Sequence, residues 1–212
     1  MRFYHGIKRA VDFIAAGLGL IVLSPLLGII ALAIRLGSSG PAIFRQERAG
    51  KDGRRFILYK FRTMRTDTDP YGFSPKDEAD PRVTRIGRLL RKTSLDELPQ
   101  LANIIKGEMA LIGPRPLLGW QYEQWTPHQR RRCQVRPGMT GWAQVNGRGM
   151  VTHEDKIELD LWYVDHESPW VDLQILAKTL FSVFRGENTL EGQYSRRTDG
   201  GGENPERISS KK

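Results

Sequence analysis

The sequence has little of the chemistry that builds disulfides or metal clusters. Its 212 residues include one cysteine, Cys133, which excludes an internal disulfide and a cysteine-based metal cluster. The four histidines are scattered along the chain, and none has zinc-ligand spacing to a second histidine or to the cysteine. They are His5, His128, His153 and His166. We expect each to be a surface or capping residue rather than a metal ligand.

Acidic residues are also in deficit, because 33 lysines and arginines outnumber 24 aspartates and glutamates. The formal net charge of +9 and the pI near 9.9 predict an anionic partner. Lipid headgroups, phosphorylated metabolites and nucleic acid all fit that charge. The length leaves room for one domain of about 150 residues beside a separate hydrophobic segment.

Formal charge is absent altogether from one long apolar segment, Phe13 to Ile34. As a helix, this segment is long enough to cross a bilayer core of about 30 Å. Pro25 lies in its middle and removes one helical hydrogen bond, so we expect a kink there. The hydroxyl of Ser24 can satisfy a backbone group that the proline frees.

Basic residues flank the apolar segment on both sides, so a straight crossing would place one set on the wrong side of a membrane. They are Arg2, Lys8 and Arg9 before the segment, and Arg35, Arg45, Arg48 and Lys51 after it. A helix hairpin that enters, bends at Ser24 and Pro25, and leaves by the same face satisfies both signals. We predict that re-entrant topology. A single span and a cleaved signal peptide are the alternatives, although the apolar run exceeds the roughly 7 to 15 residues usual for a signal peptide.

Two adjacent carboxylates, Asp96 and Glu97, lie between cations in the sequence. Those cations are Arg85, Arg88, Arg91 and Lys92 before the pair, and Lys106 and Arg115 after it. Adjacent side chains on a helix point about 100° apart, so one acid could attack while the other holds a metal. Such a setting suits a phosphorylated substrate. Alternatively, Ser94 and Glu97 fit a capping box, which would make this a well-built helix N-terminus.

The predicted fold class is α+β and helix-rich, with a short β-hairpin and amphipathic interfacial helices. Residues 41–46 and 55–61 are typical of two strands, with Asp52 and Gly53 in the turn between them. Lys60 and Arg62 then lie on one face at the end of the second strand, where a solvated edge is the alternative.

Helical patterns dominate the rest of the chain. The apolar spacing over residues 82–105 predicts two helices with a break near Ser94. An apolar stripe over residues 173–184 predicts a helix that packs on the core or lies on the membrane. We therefore expect a re-entrant membrane segment at 1–40, one small mixed catalytic domain at 41–185, and a disordered tail at 186–212.

Three further segments carry candidate binding residues. In Gly113 to Pro116, two prolines stiffen the backbone around Arg115, which suits an arginine that fixes an oxyanion; a rigid turn is the alternative. The glycines of residues 136–149 allow close backbone approach and positive φ angles, as a phosphate-binding loop requires. Residues 129–132 are basic and lie near Trp120, Tyr122 and Trp125, which suits a lipid headgroup interface or single-stranded nucleic acid.

Taken in order, these motifs resemble the bacterial sugar transferase family, in the short form of the monotopic phosphoglycosyl transferases. The resemblance covers roughly residues 8–184. Its segments are Ser24-Pro25, Ser39 to Pro41 with Phe44, Gln46 and Arg48, Lys60 to Met64, Leu90-Arg91, Ser94 to Leu101, Gly113 to Pro116, Arg136 to Arg148, and Asp160 with Tyr163. Two positions depart from the family pattern: Ala110 replaces a frequent serine, and Gly149 replaces the usual asparagine.

The resemblance implies a two-step transfer of a sugar 1-phosphate to undecaprenyl phosphate. Asp96 would attack the β-phosphorus of a UDP-sugar, expel UMP and form a phosphosugar-aspartyl ester. The lipid phosphate would then attack that ester. Glu97 would hold Mg²⁺, which takes oxygen ligands. The residues that would bind phosphate oxygens are Lys60, Arg62, Arg91, Arg115 and Arg148.

The same resemblance implies a place on the cytoplasmic face of the bacterial inner membrane and a role in starting glycoconjugate assembly. The expected partners are a UDP-sugar, undecaprenyl phosphate and anionic membrane lipids, with no nucleic acid. A membrane-tethered nucleic-acid-binding or scaffold protein is the alternative, but it gives no reason for Asp96 and Glu97 among cations. A transferase with a soluble acceptor leaves the apolar segment unexplained. The sequence does not name the sugar or the oligomeric state.

Overall fold

The fold is helix-rich and α+β, as the sequence predicts. The computed structural model describes residues 2–72, 75, 80–147 and 152–184. Arg148 and the tail predicted after Arg185 lie outside those residues.

The N-terminal element is one continuous helix, α1, over Arg2–Gly37, with Pro25 inside it. By length and composition it could cross a membrane. Pro25 cannot donate to the carbonyl of Ile21, four residues back. The hydroxyl of Ser24 donates to that same oxygen at 2.8 Å, which confirms the predicted use of the serine. The structure has one helix in place of two helical arms, and the re-entrant path stays a prediction.

One side of α1 packs along the rest of the molecule. Ala16, with Leu20 and Leu23 beside it, joins the core around Ile104. Beyond Pro25, Ile30 and Ile34 join a second cluster that includes Phe61 and Leu90. The opposite side carries exposed apolar residues at helical spacing. They include Phe3, Ile7, Val11, Ile14, Leu18, Ile21, Val22, Ile29, Leu32 and Leu36.

The predicted β-hairpin is confirmed. Strands β1 (Ile43–Ala49) and β2 (Arg55–Phe61) pair antiparallel, with Ile43 opposite Phe61 and Ala49 opposite Arg55. Asp52 and Gly53 both have positive φ in the turn, at 55° and 74°. This left-handed backbone is why an Asp-Gly pair suits the turn.

The helical region after the hairpin breaks where predicted. Helix α2 covers Arg85–Lys92, a 3₁₀ helix covers Leu95–Gln100, and α3 covers Leu101–Lys106. Ser94 takes a left-handed conformation, with φ of 55°, between the first two. Ser94 therefore turns the chain between α2 and the 3₁₀ helix. Helix α3 then follows the 3₁₀ helix directly.

A second sheet, which the sequence analysis missed, pairs β3 (Ala110–Ile112) with β4 (Gly138–Thr140) in parallel. Its connection contains two short helices, α4 (Gly119–Gln124) and α5 (Pro127–Arg130), and a 3₁₀ helix at Arg131–Gln134. After β4, the described residues form three helices: α6 (Trp142–Asn146), α7 (His153–His166) and α8 (Pro169–Phe184).

The glycines after Arg136 serve this second sheet. A Cβ on Gly138 would lie 2.1 Å from the backbone nitrogen of Gly113, and one on Gly141 would lie 2.1 Å from the Gly113 carbonyl oxygen. The close backbone approach that these two glycines permit is therefore to the backbone of Gly113. Positive φ, also predicted here, is absent from the described part of the 136–149 segment.

Helices α7 and α8 close the far side of the second sheet. Tyr163 and Ile175 are almost fully buried and form a third core cluster with Ile112. The predicted apolar stripe of α8 faces outward instead of into this core. Leu173, Leu176, Leu180 and Phe181 are each 44–57% exposed.

Candidate active site

The two adjacent carboxylates lie in the first turn of the 3₁₀ helix at Leu95–Gln100. Asp96 is buried, with 8% of its surface exposed. The side chain of Glu97 is 18% exposed. Burying a carboxylate costs free energy unless cations or donors compensate it, so an acid at this depth indicates a built site.

Glu97 lies between two cations from distant parts of the chain. Its Oε1 accepts a hydrogen bond from Nζ of Lys60 at 2.8 Å and another from a guanidinium nitrogen of Arg115 at 3.1 Å. Both cations are only 17% exposed at the side chain. The capping-box alternative is wrong, because Ser94 makes no side-chain cap hydrogen bond and Glu97 reaches the cations instead.

Lys60 reaches the site because β2 is fixed to α3. The buried side chain of Asn103 on α3 accepts a hydrogen bond from the Tyr59 backbone nitrogen at 3.1 Å and donates to the Ile57 carbonyl at 2.7 Å. It therefore pairs with β2 as a neighbouring strand would. Lys60 follows Tyr59 directly and points to Glu97, so the solvated-edge alternative for this lysine is also wrong.

Arg115 extends from a backbone that is fixed at successive carbonyls. The carbonyl of Pro114 accepts from the Gly138 backbone nitrogen at 2.9 Å. The carbonyl of Arg115 accepts from Arg132 at 3.0 Å, and that of Pro116 from Arg48 at 3.1 Å. Prolines on either side of Arg115 restrict the same backbone further. The guanidinium thus begins from a rigid base, as the sequence predicts.

Arg91 and Arg62, also predicted to bind phosphate, contact other groups of the protein. Nε of Arg91 donates to the hydroxyl of Thr63 at 3.2 Å. Arg62 is buried, and its guanidinium donates to the carbonyls of Ser38 and Ser39 just after α1. The structure thus brings Lys60 and Arg115 to Glu97, and it places Arg62 at the end of α1. The role of Arg148 stays a prediction.

The donor set at the two acids fits magnesium. Among the described residues, no group of three or more histidine, cysteine or acidic side chains could hold a metal ion. Magnesium usually takes only one or two protein carboxylates, with substrate phosphate and water as its other ligands. Asp96 and Glu97 would supply that number, and Lys60 with Arg115 would favour phosphate bound beside Glu97.

The basic cluster at residues 130–132 is used inside the protein. Arg130 donates to the carbonyls of Tyr122 and Glu123, and Arg131 pairs with Asp165. Arg132 pairs with Asp160, and both side chains are 3% exposed or less. Burial removes Arg132 from the predicted headgroup interface, and a headgroup role for the exposed Arg130 stays a prediction. The three arginines join the segment before β4 to the helices around it.

Burial raises the pKa of two side chains near that cluster. It raises the pKa of Asp160 to about 6, against the opposing effect of the positive charges on Arg132 and Arg115. Burial also raises the pKa of the Cys133 thiol to about 11, so this thiol is protonated at neutral pH. Cys133 is accordingly a poor nucleophile.

Three supporting contributions were missed by the sequence analysis: Asn103, Arg48 at the Pro116 carbonyl, and the Arg132–Asp160 pair. Asn103 does have a signal, since a polar residue interrupts the apolar stripe of its helix between Leu101 and Ile104. A polar residue on a buried stripe needs hydrogen-bond partners. Nothing in the spacing of Arg132 and Asp160 indicates their pairing.

Comparison with known proteins identifies the family of this chain. The sequence profile described as bacterial sugar transferase matches residues 3–186. The "uncharacterized sugar transferase EpsL" of Bacillus subtilis is 44% identical over 188 residues, which cover 89% of this chain and 92% of that protein.

Two other relatives have more specific names. The UDP-glucose:undecaprenyl-phosphate glucose-1-phosphate transferase of Escherichia coli is 44% identical over 84% of this chain. The UDP-N-acetylgalactosamine-undecaprenyl-phosphate N-acetylgalactosaminephosphotransferase of Aeromonas hydrophila is 41% identical over 86% of it. The chain spans 40% and 45% of the length of these two proteins.

The family profile and the named relatives define the class of this protein as a sugar transferase. The profile match covers well over half of the sequence. The chain belongs to the bacterial sugar transferase family, and the resemblance seen in the sequence is confirmed.

Proposed function

We propose that this protein transfers a sugar 1-phosphate from a UDP-sugar to undecaprenyl phosphate and releases UMP. The observation that carries the proposal is the buried Asp96 next to Glu97, with Lys60 and Arg115 on the glutamate. Family membership and the activities for which the Escherichia coli and Aeromonas relatives are named support the same donor and acceptor classes. Such a reaction would start the assembly of a glycoconjugate.

In the first step, a carboxylate oxygen of Asp96 attacks the β-phosphorus of the UDP-sugar. A new oxygen–phosphorus bond forms as the bond from that phosphorus to the bridging oxygen breaks, and UMP leaves with the electron pair. Lys60 and Arg115 bind the phosphate oxygens and offset the charge that develops on them. Arg91 and Arg148 complete phosphate binding.

In the second step, a phosphate oxygen of undecaprenyl phosphate attacks the phosphorus of the aspartyl ester. The bond from that phosphorus to Asp96 breaks, which restores the carboxylate and leaves the sugar on a lipid diphosphate. Magnesium, held by Glu97 with Asp96 nearby, would reduce the repulsion between the anionic nucleophile and the anionic diphosphate. Arg62 binds the end of α1 rather than substrate in this proposal.

The acceptor lipid requires a membrane, and α1 supplies the means to reach one. Its exposed apolar side and the outward stripe of α8 would contact lipid. We place both ends of α1 on the cytoplasmic side of the inner membrane, in a re-entrant path. Tyr4 and Lys8 near its start hydrogen bond to Asp172, and Ser38 at its end accepts from Arg62. A helix with both ends tied to one domain is poorly suited to a straight crossing.

Anionic lipids are the proposed headgroup partners of α2. Its outward face presents Arg85, Arg88 and Lys92, all exposed, around Leu89, which is 61% exposed. The inward face contacts α1, because Ile86 lies against Gly37. Cations around one apolar side chain, next to a membrane helix, match an anionic headgroup region.

The decisive experiment is a screen of UDP-sugars with undecaprenyl phosphate and magnesium, scored by UMP release. We expect one or a few UDP-sugars to give UMP and a lipid diphosphate sugar. A protein that releases no UMP with any of them, yet binds DNA with a steep salt dependence, would support the scaffold alternative instead.

A further inference from the structure

The buried ion pair Arg132–Asp160 reaches the candidate site through the backbone of Arg115. Asp160 is on α7, and Arg132 is on the 3₁₀ helix at Arg131–Gln134. Their side chains are 3% and 2% exposed, so both charges are out of water. Removing two charges from water costs several kcal/mol per ion, and an apolar pair is often at least as stable. Stability alone is therefore a weak reason for this pair.

The contacts of Arg132 indicate what the pair does. One guanidinium nitrogen donates both to Asp160 and to the carbonyl of Arg115, the latter at 3.0 Å. The ring of Trp125 lies 5.1 Å from the guanidinium carbon, which limits its movement further. Asp160 thus fixes Arg132, and Arg132 fixes the backbone of Arg115.

The side chain of Arg115 continues from this fixed backbone to Glu97, at 3.1 Å. We propose that Arg132 and Asp160 are a positioning pair, which sets where the Arg115 guanidinium meets the diphosphate of the substrate. The inference rests on the proposed function for its substrate. A small displacement of a binding group can cost on the order of a hundredfold in rate, so a fixed carbonyl matters here.

An apolar replacement of the pair separates positioning from stability. We expect Arg132→Met with Asp160→Leu to fold with a melting temperature close to that of the wild type, because the apolar packing that replaces a buried ion pair offsets the lost hydrogen bond to the Arg115 carbonyl. UMP release should fall on the order of tenfold to a hundredfold. The matched control is Arg131→Met with Asp165→Leu, an exposed ion pair between the same two elements. The control should keep wild-type activity.

A double-mutant cycle with Arg115→Ala distinguishes positioning through Arg115 from a merely structural role of the pair. If the pair acts through Arg115, its apolar replacement should cause almost no further loss once Arg115 is alanine. An equal fold-loss in both backgrounds, or full activity of the apolar variant, would overturn the inference. Should that variant fail to fold, Asp160→Asn, which keeps the shape of the side chain, replaces it in the same cycle.

Calorimetric binding of UDP in the presence of magnesium keeps this inference separate from the proposed function. We expect the apolar variant to bind UDP more weakly than the wild type, and only when Arg115 is present. If the wild type binds UDP but releases no UMP from any UDP-sugar, the proposed reaction is rejected. The double-mutant cycle can then still be measured with UDP affinity as its readout. A wild type that binds no UDP would reject both.

Discussion

At the scale of single residues, the surroundings of Glu97 argue against it as the attacking group. Its carboxylate is engaged by Lys60 and Arg115. An acid held between two cations is a weak nucleophile, because the cations stabilise its charge. The proposal therefore assigns the attack to the buried Asp96 and the metal to Glu97.

Asp96→Asn should abolish turnover while the protein still folds. The amide keeps the shape of the side chain but cannot attack phosphorus. We expect UMP release below about a thousandth of the wild-type rate, a loss of about 4 kcal/mol in transition-state stabilisation. Intact-protein mass spectrometry without acceptor should find one added sugar phosphate on the wild type and none on the variant. Turnover without an adduct at any time would indicate direct transfer instead.

Glu97→Gln should weaken the magnesium dependence together with the rate. The amide loses the charge that would hold the ion. We expect the magnesium concentration for half-maximal rate to rise at least about tenfold, a loss typical even of residues that only support a metal ligand. The measurement is a magnesium titration of UMP release, with Glu158→Gln, an exposed acid paired with His128, as the control. An unchanged titration would assign the metal to another ligand.

Residue identity could be predicted from sequence for the groups whose chemistry is unusual in context. The adjacent acids among cations and the proline-flanked Arg115 were found in that way. Arg62 was assigned with Lys60 because alternation puts both on one face of β2. Arg62 lies just past the end of β2, and its buried guanidinium donates to the carbonyls of Ser38 and Ser39 instead.

At the scale of elements, the site depends on β2 and α3 staying together, and Asn103 joins them. Asn103→Leu would leave the Tyr59 amide and the Ile57 carbonyl without this partner. We expect a loss of about 2 to 6 kcal/mol in unfolding free energy, at roughly 1 to 3 kcal/mol for each of the two unsatisfied groups. Denaturant unfolding in detergent measures it. Asn146→Leu, at an exposed position, is the control and should change stability far less.

Elements with a local signal were predictable, and elements formed by distant pairing were not. The β1–β2 hairpin and the break at Ser94 depend on neighbouring residues, such as Asp52 and Gly53 in the turn. The parallel pair β3–β4 joins three-residue strands far apart in the chain, so neither strand has a readable alternation. The glycines of residues 136–149 permit this strand pairing because they allow two backbones to approach closely. A ligand-binding loop needs glycines for the same close approach, so the sequence pattern does not distinguish the two.

At the scale of the whole molecule, α1 has two different sides along its whole length. One side packs on the catalytic domain before and after Pro25, and the other is apolar and exposed. A straight helix of 36 residues spans about 54 Å, well beyond a bilayer core of about 30 Å. If α1 crossed a membrane outright, either the Asp172 contacts of Tyr4 and Lys8 or the Arg62 contact of Ser38 would have to break.

Both ends of α1 should therefore resist an impermeant thiol reagent applied from the periplasm. Single cysteines at Phe3, which is 83% exposed, and at Ser39, also exposed, avoid the residues whose side chains bind the domain. Cys133→Ser is the background, and burial already makes that thiol slow to react. Both cysteines should label after the membrane is permeabilised, and neither before it. Ready labelling of either one in intact spheroplasts would reject the re-entrant path.

Pro25→Ala should move a fraction of the molecules towards a spanning form. Alanine restores the backbone donor to the Ile21 carbonyl, which Ser24 now satisfies, and so removes the reason for a bend. We expect partial periplasmic labelling of one terminal cysteine in this variant, with activity lost in the same proportion. Ser24→Ala should have a smaller effect, because the proline remains. Activity falls with labelling because a domain detached from one end of α1 no longer holds Asp96 at the depth of the lipid phosphate.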